Sequence, residues 1–405
     1  MRERITPKYI TRLEQVPQLN DAERERLQPV HDAFVFRTND YYQSLIDWND
    51  PDDPIRRIVM PDTTELEPWG RLDASNEADY TRVPGLEHKY RSTALLLVND
   101  VCGAYCRFCF RKRLFMDDND EVVRDVSQGI AYIREHREIT NVLLTGGDPL
   151  LMSTRLLRSV IEPLRAVEHV QIIRIGSKMP AFNPFRILDD PSLCEMLREF
   201  STPAKRIYVM CHFNHPRELT DEAIEGLARL QEAGVITVNQ TPLIAGVNDD
   251  PMVLAELFRK CSFVGMPPYY VFQCRPTLGN RGYTVPVERG YQIVEAAKAR
   301  VSGLAKRARF VMSHETGKIE VIALTSELVV FKYHRAADDA DSGRVMVYGR
   351  NPDATWFDDY TALVELHAPE PMIALVSGAA DERDCCAASM YRSARARSPD
   401  IRVVR

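Results

Sequence analysis

From residue 93 the chain alternates short apolar runs with amphipathic segments. The runs are TALLLV (93–98), NVLLTG (141–146), IIRIGS (172–177), RIYVMCHF (206–213), VITVNQTPLI (235–244) and YYVFQC (269–274). They are rich in β-branched and aromatic residues, which suit a pleated strand. Between them lie EVVRDVSQGIAYIREH, TRLLRSVIEPLRAV, PSLCEMLREF, DEAIEGLARLQEAG and PMVLAELFRK. In the fourth of these Ile224, Leu227 and Leu230 recur at a spacing of three, and Gly234 supplies a stop. Near-continuous apolar strands separated by helices predict parallel βα units. Six units are too few to close the usual eightfold barrel. The pattern therefore predicts an α/β fold built on an open, partial (β/α)6 barrel over residues 93–305.

The flanks differ. Residues 1–92 are rich in charge, proline and aromatics, with helical pieces and a proline-broken stretch at NDPDDPIRRIVMPDTTELEPWG. They predict an N-terminal helical and extended wrap rather than a separate domain. Over 306–358, RARFVMSH, KIEVIALT, LVVFKYHR and RVMVYGR read as strands of a C-terminal β-rich cap at the barrel mouth. The remaining segment, 359–405, becomes rich in Ala, Arg and Ser from about residue 378, and that end is expected to be disordered.

Composition narrows the class. Of 405 residues, 45% are apolar and 27% charged, as in ordinary globular chains, and the net charge of −6 argues against a nucleic-acid footprint. The charged start MRERITPKYI lacks a signal-peptide core, and no apolar run approaches the roughly 18 residues that span a bilayer. No membrane partner and a cytoplasmic location are expected. Nine cysteines at irregular spacing do not form a disulfide framework. Cys194, Cys211, Cys261 and Cys274 read as small buried side chains.

Chemistry-bearing residues collect where each predicted strand ends, the edge at which parallel α/β proteins place their sites. The first is VNDVCGAYCRFCFRKR (98–113), with Cys102, Cys106 and Cys109 inside eight residues. A closed zinc site wants a fourth ligand, for which only His88 is near in sequence. An electron-transfer [4Fe–4S] cluster normally takes four cysteines. Three thiolates instead leave one iron of a cubane open for another ligand.

This triplet, just after the first strand of a partial barrel, resembles the radical SAM superfamily. The resemblance extends to the lysine 2,3-aminomutase family over about residues 40–335. It is carried by PGLEHKY (84–90), VLLTGGDPLL (142–151), IRIGS (173–177), HFNHP (212–216), NQTPLIAGVND (239–249) and PPYYVFQC (267–274). It implies a [4Fe–4S] cluster on Cys102, Cys106 and Cys109, and S-adenosylmethionine against Gly146, Gly147, Asp148, Ser177, His212 and Gln240. It implies Arg111 on a substrate carboxylate, while Lys112 and Arg113 read as surface charges. Pyridoxal 5′-phosphate (PLP) would be anchored as a Schiff base on Lys318 and gripped by Lys89 and Tyr90. An amino-acid-like substrate, a reductant such as flavodoxin or ferredoxin, and a homo-oligomer also follow.

The resemblance departs in four places. The family's PGGGGK loop is replaced by MSHETGK, which leaves one glycine before Lys318 and adds His314 and Glu315. Lys89 stands for an arginine of the phosphate grip, and Thr93 for a second, although Arg91 is near. Arg275 stands where lysine-specific members carry an aspartate, which disfavours lysine as substrate. The family's zinc cysteines are missing; Cys385 and Cys386 are adjacent, and no zinc is expected. The leading expectation is a 2,3-aminomutase-like isomerase. A PLP-independent radical SAM enzyme, giving epimerisation, dehydrogenation or rearrangement, is the alternative; a non-catalytic iron–sulfur carrier is the third reading.

Overall fold

The computed structural model describes residues 5–116 and 119–367. Thirteen strands form one open sheet whose spatial order follows the chain. They are β1 (Thr81–Val83), β2 (Leu86–Tyr90), β3 (Thr93–Asn99), β4 (Asn141–Gly146), β5 (Ile172–Ser177), β6 (Ile207–Cys211) and β7 (Ile236–Leu243). The others are β8 (Pro268–Gln273), β9 (Arg309–His314), β10 (Gly317–Leu324), β11 (Leu328–Ala336), β12 (Val345–Gly349) and β13 (Leu363–His367). From β3 to β9 neighbours are parallel; both ends of the sheet are antiparallel. Each crossover carries a main helix: α1 (Ser127–Glu135), α2 (Thr154–Arg165), α3 (Pro191–Phe200), α4 (Asp221–Glu232), α5 (Pro251–Phe263) and α6 (Val287–Lys298).

The six βα units of the sequence are present, but the parallel run has seven strands. RFVMSH, expected within the cap, pairs in parallel with β8 through Tyr270↔Arg309, Val271↔Phe310 and Phe272↔Val311. It also forms the antiparallel hairpin with β10 that the local pattern predicts. The hairpin is encoded by neighbouring residues, whereas the parallel pairing depends on a strand about forty positions earlier. Barrel sheet and cap sheet are therefore continuous.

The strands are not buried evenly on both faces. In β5, Ile173 and Ile175 are fully buried, whereas Arg174 and Gly176 turn to a cavity. Thr93 and Leu95 of β3 and Leu143 and Thr145 of β4 share that inner face. The opposite face packs under the stripes Leu157, Val160, Ile161, Leu164 of α2 and Ala223, Leu227, Leu230 of α4. Period-two side-chain alternation thus separates a helix-covered core from a wall that carries chemistry.

The N-terminal region has no core of its own. Leu13, Val16, Leu27, Phe36, Tyr42, Ile55 and Ile58 pack with Ala104, Phe108, Phe182, Ile244, Val247, Cys274 and Tyr283 of the barrel edge. Its helix Asp21–Ala33 starts at a capping box: Glu23 N donates to Asn20 Oδ1 (2.9 Å) and Asn20 N to Glu23 Oε2 (3.1 Å). Among the described residues no helix is long and apolar enough to cross a membrane. Residues 378–405, with Cys385 and Cys386, lie outside the described residues.

One buried ion pair joins wrap to barrel. Arg107 Nε and Nη2 each lie 2.9 Å from a Glu65 oxygen, with side chains 2% and 0% exposed. Removing one partner leaves an uncompensated buried charge, a loss of ~3–5 kcal/mol. Glu65→Ala is expected to lower stability by about that amount in urea denaturation, and the Glu65→Ala/Arg107→Met double variant by less than the sum of the two single changes.

Candidate active site

A cavity of about 340 Å³ opens at the C-terminal edge of the parallel strands. Its wall takes Cys102, Cys106, Cys109 and Arg111 from the loop after β3, and Gly146, Gly147 and Asp148 from the turn after β4. It also takes Ser177 and Lys178 after β5, His212 after β6, Gln240 of β7, Arg275 after β8, and Lys318 of β10. Lys89 and Tyr90 of β2 complete it. Every residue that the resemblance assigns to the cluster, S-adenosylmethionine, PLP or substrate therefore lines one space.

The cysteine loop is held from outside so that the thiols face inward. Gly103, Ala104, Tyr105, Arg107 and Phe108 are buried, while the three cysteines remain partly accessible. Tyr105 N donates to Arg37 O (2.9 Å), Arg107 N to Ile58 O (2.9 Å), and Asn280 Nδ2 to Phe108 O (2.9 Å). Burial pushes the thiols up, Cys106 to about 12, so a metal that took them would displace protons. Among the described residues no three ligating side chains converge on one ion-sized point. Cys274, read as a plain core residue, also lines the cavity. Its sulfur lies 3.9 Å from the Arg275 carbonyl, and burial raises its thiol to about 11.

The GGD turn locks onto that loop. Gly147 N donates to Asn99 O (2.5 Å) and Asp148 N to Val101 O (2.9 Å). A Cβ on Gly147 would sit 2.5–2.7 Å from the Val101 backbone, and one on Gly146 (φ +107°) would run into the Asn99 carbonyl. Two glycines are thus required where two backbones touch. Burial pushes Asp148 up to about 6, although its carboxylate accepts from Leu150 N (3.0 Å), Ser177 Oγ (3.0 Å), Lys178 N (2.7 Å) and Met179 N (3.0 Å). Asp148 and Ser177 thereby tie the turns after β4 and β5 together.

Deeper in the wall, burial and Lys178 drive His212 well below the ordinary histidine range, so its ring is neutral. Lys178 was not nominated from sequence. Its Nζ donates to Asn214 Oδ1 (2.6 Å), Glu218 Oε1 (2.6 Å) and His212 O (2.8 Å), a buried network that fixes the turn after β6.

Arg111 reaches the cavity with its fork already filled. Its Nε and Nη2 donate to the two oxygens of Glu77 (3.1 and 2.8 Å), and Nη1 donates to Thr145 Oγ1 (3.0 Å). Burial opposes the ionised Glu77, yet Arg111, Arg113 and Arg275 hold it down at about 2. Neighbouring Glu87 is pushed up to about 8 by burial and by Glu77. Lys112 and Arg113 are not surface charges: Lys112 Nζ lies 3.4 Å from Glu65, and Arg113 Nη2 lies 2.7 Å from Glu77. Carboxylates of the wrap, far away in sequence, draw both inside. Arg275 makes no ion pair among the described residues. It stacks on Phe110 (3.6 Å) and donates to Ser75 Oγ (2.5 Å).

Lys318 opens β10 opposite Ser313, with Nζ 3.3 Å from Ser313 Oγ. Burial, then Arg275, Lys89, Arg174 and Arg335, drives its amine well below the ordinary lysine range. Gly317 (φ +149°) keeps its glycine because a Cβ would strike the Arg335 carbonyl. His314 and Glu315 stand off the cavity: the His314 ring meets Thr316 and Asp358, and Glu315 pairs with Arg71. Lys89, lowered to about 8 chiefly by burial, donates to His314 O (2.6 Å). Arg174 and Arg335 line the same wall and were missed. Arg174 left a signal, a charge at an inward position of an otherwise apolar strand; Arg335 left none.

The Radical SAM superfamily profile matches residues 96–258. A protein of Aquifex aeolicus (strain VF5) named "Putative L-lysine 2,3-aminomutase" is 59% identical over 358 residues, 88% of this chain and 96% of its own. The chain belongs to the lysine 2,3-aminomutase family of radical SAM enzymes. The L-lysine 2,3-aminomutase of Fusobacterium nucleatum is 38% identical over 71% of this chain and 67% of its own. The glutamate 2,3-aminomutase of Clostridioides difficile (strain 630) is 33% identical over 72% and 68%. Membership makes the protein an isomerase of the aminomutase type, and the radical SAM family implies a [4Fe–4S] cluster and S-adenosylmethionine. Three inward thiols on a rigid loop could hold such a cluster with one iron left over.

The contact between turn and loop can be tested. Gly147→Ala forces a methyl into the Val101 backbone, an overpacking cost of ~1–3 kcal/mol. The expected result is a folded protein by circular dichroism whose cysteine loop is displaced, with less iron bound per chain after anaerobic reconstitution.

Proposed function

We propose that this enzyme moves an amino group between adjacent carbons of an amino acid other than lysine, with PLP held at Lys318. The observation that carries the reading is the half-buried Lys318, which lines the same cavity as the three thiols. Burial and the surrounding arginines and Lys89 depress its amine well below the ordinary lysine range, which favours the neutral, nucleophilic form that a Schiff-base lysine uses. Cys102, Cys106 and Cys109 hold the cluster. Gly146, Gly147, Asp148, Ser177, His212 and Gln240 form the wall for S-adenosylmethionine, with neutral His212 and Gln240 offering directed hydrogen bonds to its nucleoside. When bound, PLP supplies the conjugated system over which an unpaired electron spreads during migration.

Arg275 argues against lysine. A guanidinium with no carboxylate partner would face the substrate's ammonium, and like charges disfavour that complex. With the Arg111 fork filled by Glu77, Arg275, which stacks on Phe110, keeps donors for a substrate carboxylate or an anionic side chain. Relatives named for lysine and for glutamate support a scaffold that exchanges side-chain specificity. An external reductant of the flavodoxin or ferredoxin type and a homo-oligomer complete the proposal.

Three outcomes are expected. Anaerobic protein treated with PLP and borohydride at pH 7 should carry a reduced pyridoxyl group on Lys318 by peptide mass, and Lys318→Ala should carry none. No adduct in the wild type would remove the PLP-dependent reading, and deoxyadenosine formed with substrate but without PLP would favour the PLP-independent enzyme. Alanine at Cys102, Cys106 or Cys109 should abolish cluster assembly by iron and sulfide content, whereas Cys274→Ala should retain it. In a panel of amino acids, lysine should give no β-amino acid above background; turnover of lysine comparable to the best substrate would contradict the role of Arg275.

A further inference from the structure

The cap carries a cation that the sequence comparison left without a purpose. Lys318 of β10 and Arg335 of β11 are direct cross-strand partners. Like charges opposite one another on antiparallel strands are destabilising unless something negative lies between them. Arg335 turns to the cavity and lies over Tyr90, its guanidinium carbon 4.4 Å from the ring centroid. Lys89 and Lys318 approach the same ring, each at 5.7 Å. Three basic side chains thus surround one aromatic ring, and Arg174 stands in the same wall. None of the four makes an ion pair among the described residues. Arg174 Nε donates to Asn141 Oδ1 (2.8 Å), Lys89 to a carbonyl and Lys318 to a hydroxyl. A ring face satisfies one cation at most modestly, so the cluster lacks an anion.

The placement of Arg335 says which one. Its Nη2 donates to Ser92 Oγ (2.8 Å) and Thr93 Oγ1 (2.9 Å). Thr93 is the position at which the resemblance to the aminomutase family leads one to expect an arginine of the phosphate grip. Both bonds use one nitrogen, which leaves Nε and Nη1 with no hydrogen bond among the described residues. Arg91, the substitute suggested by sequence, points away: its side chain is 74% exposed and lies 3.7 Å from Asp339.

We propose that Arg335, with Arg174 and Lys89, forms a binding site for a phosphate monoester beside Lys318, Arg335 replacing from the cap the arginine lost at Thr93. The proposal rests on the reading of Lys318 as the PLP lysine, and it assigns the ester phosphate of that group to Arg335. Lys318 then opens β10 directly across from the residue that holds the phosphate, and the cation cluster is neutralised when the site is filled.

The test compares PLP with pyridoxal, which has the aldehyde but no phosphate, on wild type, Arg335→Gln and Arg335→Lys. Expected for Arg335→Gln is a loss of PLP affinity of about tenfold to a hundredfold, the range for one charge-assisted hydrogen-bonded contact, with pyridoxal trapping on Lys318 unchanged. Arg335→Lys should recover part of the loss. Inorganic phosphate probes the site without the aldehyde: it should raise the melting temperature of the wild type and not that of Arg335→Gln, whose melting temperature without phosphate shows that it folds. Equal PLP affinity in wild type and Arg335→Gln overturns the proposal and leaves PLP at Lys318 intact. A wild type that traps no PLP but gains stability from phosphate through Arg335 keeps the anion site and removes the cofactor reading; neither effect overturns both.

Discussion

The position of the three thiols depends on one carboxylate. Glu65, fully buried in the wrap, accepts both arms of Arg107 and lies within reach of Lys112 and the Tyr283 hydroxyl (3.3 Å). Arg107 is flanked by Cys106 and lies two residues before Cys109, so the ion pair pulls the loop outward at one residue and leaves its neighbours facing in. Ala104 and Phe108 continue that anchoring as apolar contacts in the wrap's core. A loop of this length would otherwise sample many conformations, at roughly 1–2 kcal/mol per residue of backbone order. The buried pair and the shared core offset that cost before any metal arrives.

Electrostatically the cavity has two ends. Around Arg111 the charges are matched: Glu77 is ionised between three arginines, and Glu87 is pushed toward its neutral form. Around Tyr90 they are not. Lys89, Arg174, Lys318 and Arg335 share a wall in which none of them makes an ion pair among the described residues, and burial depresses Lys89 and Lys318. An unmatched, half-buried cluster of this kind is costly in isolation and becomes favourable when an anion enters. The same desolvation that penalises the charged Lys318 frees its lone pair for an aldehyde, so one physical cause serves both anion binding and nucleophilicity.

Several features were legible along the chain because they rest on local pattern. Alternation of apolar runs and helices gave the βα order, and the boundaries of β4, β5 and α3 coincide with NVLLTG, IIRIGS and PSLCEMLREF. Cys102, Cys106 and Cys109 announced themselves by spacing, and the strand-end rule brought GGD, Ser177, His212, Gln240 and Arg275 to the same edge. Lys112 and Arg113 were misread because a run of basic residues looks solvated until distant glutamates close on it. The seventh parallel strand was missed because RFVMSH satisfies a hairpin locally, and nothing near it signals a second partner.

What the sequence determined by itself is the set of groups available: three thiols without a fourth at cluster spacing, a paired glycine turn, a lysine after a single glycine, and an arginine where an aspartate would read lysine. The first three follow from residue type and spacing, which a linear chain displays; the reading of Arg275 against an aspartate follows from the resemblance to the aminomutase family. Tertiary structure decided which of these groups are free. It gave Arg111 to Glu77, left Arg275 without a carboxylate, and set Arg335 across from Lys318 through a strand register with a shift beside Lys318. Pairing of charges depends on distance in space, and in this fold the deciding contacts join residues tens to hundreds of positions apart.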